Sequence, residues 1–99
     1  MIFYFKERSV DMKKQWTDRK WDKTKTEERF EHLLEENGFT VNGVKEYNSK
    51  TDYLIEKDGV ECEYSLHHID NKSSRGTECF KAFMMYYNIK VEYENVKSL

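Results

Sequence analysis

Asp58-Gly59 lies between two alternating segments, and it constrains the fold more than any other dipeptide in the chain. A type I′ turn needs positive φ at both central positions, which Asp-Gly tolerates, and its twist matches that of two paired strands. Across residues 51–65 the turn sets Lys57 opposite Val60, Glu56 opposite Glu61, Leu54 opposite Glu63 and Asp52 opposite Ser65. Side chains alternate along a strand. Tyr53, Ile55, Val60, Cys62, Tyr64 and Leu66 therefore share a face fit for a core, and Asp52, Glu56, Glu61 and Glu63 share the other.

Like charges opposite one another across a strand pair are unfavourable, by up to about 1 kcal/mol per pair. Two explanations remain open. The face is solvated and water screens the repulsion, or a divalent cation sits among the acids. Mg²⁺ and Mn²⁺ take carboxylate, water and phosphate oxygens, and Asp52 diagonal to Glu63, with Glu61 two residues away, offers half a cage.

Other elements follow from local signals. Thr24-Lys25-Thr26-Glu27 is a capping box that opens a helix over 24–37, closed by Gly38, with Phe30, Leu33 and Leu34 as its core stripe. Residues 39–47 read as a strand interrupted at Asn42-Gly43 by a bulge or a very tight hairpin, and the bulge is preferred because three-residue arms make a poor hairpin. A polar connection over 67–76 leads to a second helix over 77–87, where Phe80, Phe83, Met84 and Tyr87 recur at helical spacing. Asn88 reads as a stop, and Ile89, Val91 and Tyr93 alternate with Lys90 and Glu92 as a last strand. The expected order is αβββαβ.

Ninety-nine residues make one domain, and 36% charged with 37% hydrophobic residues describe a highly charged globule. No apolar run approaches the ~20 residues that span a bilayer. No secretory pattern opens the chain, so the expectation is a cytoplasmic protein with no membrane partner. Cys62 and Cys79 read as buried free thiols. The adjacent His67-His68 has neither spacing expected of a zinc site, and no phosphate loop or dinucleotide fingerprint implies a small-molecule cofactor.

Charge is unevenly distributed. Residues 1–27 hold eight Lys/Arg against five acids, and the remainder nine against fourteen. A basic arm over 1–23 thus precedes an acidic domain over 24–99. Lys13, Lys14, Trp16, Arg19, Lys20, Trp21 and Lys23 of the arm, with Lys50, are candidate nucleic-acid contacts through phosphate and base stacking. The alternative is an arm whose tryptophans dock on the protein's own core.

The element order, the helix Glu27-Glu28-Arg29-Phe30-Glu31-His32-Leu33-Leu34, the Lys50-Thr51-Asp52 segment and Glu61-Cys62-Glu63 together resemble the PD-(D/E)XK nuclease superfamily. The similarity is to its small Holliday-junction-resolvase-like and phage- or plasmid-borne members, and it covers residues 24–93. It implies an α/β restriction-endonuclease-like core, a mixed four-stranded sheet flanked by two helices. It also implies Mg²⁺- or Mn²⁺-dependent phosphodiester hydrolysis on DNA by a homodimer. Asp52 and Glu61 would hold the metal, Glu27 would be an outer or additional ligand, and Glu63 would bind metal or position the water. On a helical wheel Glu27 lies about 60° from Phe30, at the rim of the buried face.

The chain departs from the family where Glu63 stands in the place of the usual lysine and Thr51 in that of proline; the resemblance leaves two ways round the first departure, a second Glu serving at that position as in some related enzymes, or Lys45, Lys50 or Lys81 supplying the cation from elsewhere. Two further readings use the same fold without catalysis: a nucleic-acid- or protein-binding module, and a phage-type regulator whose carboxylates imitate phosphates.

Overall fold

A computed structural model describes residues 22–98. The arm residues Lys13, Lys14, Trp16, Arg19, Lys20 and Trp21 lie outside them. The described elements are α1 (Lys25–Glu36), β1 (Thr40–Glu46), β2 (Lys50–Lys57), β3 (Val60–His67) and α2 (Ser73–Ser98).

Local chemistry sets the first helix. Thr24 accepts from the Glu27 N–H at 3.1 Å while Glu27 Oε1 accepts from the Thr24 N–H at 2.9 Å, which closes the capping box. At the other end Gly38 takes φ +81°, its N–H reaches the Glu35 carbonyl, and the Phe39 N–H reaches that of Leu34. That pair of bonds is a Schellman motif, and it needs a residue free of a Cβ penalty at the left-handed position.

The strands form one antiparallel sheet in the order β1-β2-β3. Asp58 at φ 54° and Gly59 at φ 80° make the primed turn, and the register is the expected one, with Asp52 opposite Ser65 and Glu56 opposite Glu61. The bulge is also present, as a register shift between Val41 and Gly43.

Both helices cover one face of this sheet. Phe30 and Leu34 of α1, and Cys79, Phe83 and Tyr87 of α2, close over Tyr53, Ile55, Cys62 and Leu66. The Phe30 ring lies 5.1 Å from that of Tyr53, 5.3 Å from Tyr64 and 6.2 Å from Phe83, so one side chain joins α1, the sheet and α2.

The end of the chain differs from expectation. Residues 89–93 are not a strand: α2 runs without a break through Asn88, and among the described residues the sheet has three strands. Ile89, Val91 and Tyr93 satisfy a period of two, but Met84, Tyr87 and Val91 continue the helical spacing and pack on the core. A lone Asn, with no Gly or Pro after it, does not stop a helix whose next turn still has a core position to fill.

The second helix also starts earlier, at Ser73, so the connection shrinks to residues 68–72. It is tied down: the Thr26 hydroxyl donates to the Asp70 carbonyl at 2.7 Å, and the Lys25 N–H donates to Asn71 Oδ1 at 2.6 Å. No helix among the described residues is long and apolar enough to cross a membrane.

Where α2 crosses α1, Gly76 is in the contact itself. A Cβ there would stand 2.5 Å from the Thr26 carbonyl oxygen and 2.6 Å from the Arg29 Cβ. Gly76→Ala should therefore destabilise the fold by about 1–3 kcal/mol, although alanine is the better helix former; urea denaturation measures it.

Burial raises the pKa of Cys62, partly countered by Lys90, and likewise raises that of Tyr87. Burial with the Cys79 thiol alongside pushes Tyr64 up as well. An acid whose folded pKa is raised stabilises the fold below its unfolded pKa and loses that contribution as pH rises towards the folded value. Stability should thus fall as pH rises above about 8.5, where unfolded cysteine ionises, and further above about 10 for tyrosine. Cys62→Val should flatten the first part of that fall in melting curves taken across the range.

Candidate functional site

The uncovered face of the sheet carries the carboxylates that the sequence places there, and the strands hold them at fixed spacing. Glu61 and Glu63 are two residues apart on β3, about 6.8 Å along the strand, and Asp52 faces Ser65 one pair further on. Asp52, Glu56 and Glu61 are engaged within the sheet. Asp52 Oδ1 accepts from the Ser65 hydroxyl at 2.6 Å and has Lys50 Nζ at 3.4 Å. Asn42 Nδ2 donates to Glu56 Oε1 at 2.7 Å and to Glu61 Oε2 at 3.0 Å. Glu63 is exposed.

Asn42 is legible in the sequence only as a turn residue, yet the bulge turns its amide over the like-charged pair. One primary amide thus does what a cation would otherwise have to do: it places positive hydrogen between two opposed carboxylates.

Glu27 is elsewhere. Its carboxylate lies on the covered side of the sheet, 1% exposed, where Oε2 accepts from the Thr51 hydroxyl at 2.9 Å. Thr51 and Asp52 are consecutive strand residues and point to opposite faces, so the sheet separates Glu27 from Asp52. The expected convergence of Glu27 with Asp52, Glu61 and Glu63 does not occur. Among the described residues no three His, Cys, Asp or Glu are grouped to hold a metal ion.

Glu27 instead ends a polar chain. Thr51 has one hydroxyl proton and gives it to Glu27, so its oxygen accepts from His68 Nε2 at 2.7 Å, and that nitrogen carries a hydrogen. Glu46, 7% exposed, borders the same spot, a cavity of 220 Å³ lined also by Asp22, Tyr47 and Asn48. The two basic candidates within the described residues are not neighbours in a patch. Lys23 pairs with Glu31 at 2.8 Å, whereas Lys50 lies over the Tyr47 ring, 5.2 Å from its centre.

A cleft of 790 Å³ lies along β3, between that strand and α2. Tyr64, Ala82 and Tyr86 give it an apolar wall, and Glu61, Glu63, His67 and Lys90 a charged rim. The rings of Tyr64 and Tyr86 are 6.4 Å apart. The strand is the outermost of the sheet among the described residues, so one row of its backbone N–H and C=O groups pairs with no described strand, and six of its residues line the cleft. The sequence conceals the site, because a fourth strand read from 89–93 leaves no reason to look for an open edge here.

Asn42→Asp replaces the bridging amide with a third carboxylate. It should cost about 1–2 kcal/mol, with much of the loss recovered at high salt, as thermal melts at two ionic strengths would show.

No protein-family model, no curated protein and no solved structure matches this chain.

Proposed function

We propose that this domain is a non-catalytic protein-binding module that takes up an extended, basic segment of a partner along the outer edge of β3. The observation that carries this reading is the pairing of an open strand edge with a cleft walled by Tyr64, Ala82 and Tyr86. Strand addition uses the edge for main-chain hydrogen bonds and the alternate side-chain positions for selectivity.

Those alternate positions define the partner. Residues of an added strand that point to the uncovered face meet Glu61 and Glu63, and those between them meet Cys62, Tyr64 and Tyr86. Lysine or arginine alternating with apolar residues satisfies both. A second copy of β3 would instead set these glutamates against each other, a like-charge arrangement that costs stability. The acids therefore protect the edge from its own kind and leave it open to a basic strand. The separation of Glu27 from Asp52 supports binding over hydrolysis.

The test uses a peptide of alternating lysine and valine, with a scrambled control, titrated into isotopically labelled protein. Amide shifts should concentrate on β3 and α2, and Glu61→Lys or Glu63→Lys should each weaken binding by roughly tenfold. Shifts confined to another surface, or equal binding of the scrambled peptide, would refute the proposal. So would cleavage of duplex or branched DNA in Mg²⁺ or Mn²⁺ that Asp52→Asn abolishes, an outcome that would restore the nuclease implied by the resemblance.

A further inference from the structure

Beyond Val91 no described residue of α2 belongs to the core, yet the helix continues to Ser98. Its last turns expose large apolar side chains: Met85 67%, Tyr86 60%, Ile89 63%, Tyr93 63% and Val96 69%. Helices in water draw most of their stability from packing an apolar face, and this apolar stripe is exposed.

The spacing identifies a surface that would cover it. Tyr86, Ile89, Tyr93 and Val96 are separated by three, four and three residues, the a-d-a-d pattern of a heptad seam, and Ala82 precedes them at a d position. At about 100° per residue the seam centres roughly 140° away from the line of Phe83, Tyr87 and Val91, so it does not compete with the core for the same side chains. We infer that the C-terminal half of α2 forms a parallel, two-fold helix pair with a second copy of this chain.

Charge selects both the partner and its direction. Glu92 falls at position g and Lys97 at the following e, five residues on, where a parallel pair brings g of one helix beside e of the other. The two-fold axis makes that ion pair twice. An antiparallel pair would set Glu92 against Glu92 and the basic border of Lys90 and Lys97 against itself. Covering the four exposed seam side chains removes about 500 Å² per copy, or about 1,000 Å² in all, the least that a specific interface needs. The seam uses none of the β3 backbone but shares Ala82 and Tyr86 with the wall of the cleft, so a bound strand and a second helix would compete for those side chains, and the association is measured without peptide.

Sedimentation equilibrium on the full chain tests this. The protein should be a dimer in the hundred-micromolar range, and Val96→Glu should make it a monomer that keeps the urea midpoint of the domain and loses only the helical circular dichroism of the turns past Val91, since that side chain lies outside the core. Glu92→Lys should weaken the dimer several-fold, and adding Lys97→Glu to it should restore the association. A Val96→Cys chain should form a 96–96 disulfide on mild oxidation, which only the parallel arrangement allows. A wild-type monomer throughout that range, a Val96→Glu variant that still dimerises, or a dimer that does not cross-link at 96 would each overturn the inference.

Discussion

Phe30 is the point at which the sheet and both helices are held to one another. Its ring touches Tyr53 and Tyr64 from two strands and Phe83 from α2, in tilted, stacked and edge-on arrangements respectively. Aromatic pairs add directional preference to area burial, so this contact fixes orientation as well as adhesion. It sets how α1 lies across the sheet, and through that where Glu27 points. Gly76 is the matching requirement on the other side, since α2 reaches Phe83 only by crossing the Thr26 backbone without a Cβ.

Signals carried within a few residues of one another are readable from the chain alone. The capping box of Thr24 and Glu27, the left-handed Gly38, the Asp58-Gly59 turn with its register and the bulge at Asn42 are all local, and each appears as the sequence implies. The segment 89–93 misleads because Ile89, Val91 and Tyr93 fit two periods at once, and only the core position of Val91 decides between them. The placement of Glu27 is half legible. A helical wheel puts it at the buried rim, but it cannot say which side of a sheet that rim faces. The bonds from Asn42 to Glu56 and Glu61, and from Thr51 to Glu27 and His68, join groups 14 to 24 residues apart, and no short pattern encodes them.

The acidic face illustrates how a sheet tolerates opposed charges. Ser65 and Lys50 engage Asp52, and Asn42 engages Glu56 and Glu61, so neutral donors share the work with one cation. Donors held by the backbone lose little entropy on bonding, and unlike mobile counter-ions they remain in place as salt varies. The face can therefore keep its negative field without losing its own register.

The bulge has a further consequence for the borders of the sheet. It deforms β1, one border of the sheet among the described residues, whereas β3, the opposite border among them, keeps an unbroken ladder against β2. A bulged border is a poor template for another strand. Among the described residues the sheet thus has one deformed edge and one regular edge, and only the regular one offers an evenly spaced row of backbone donors and acceptors.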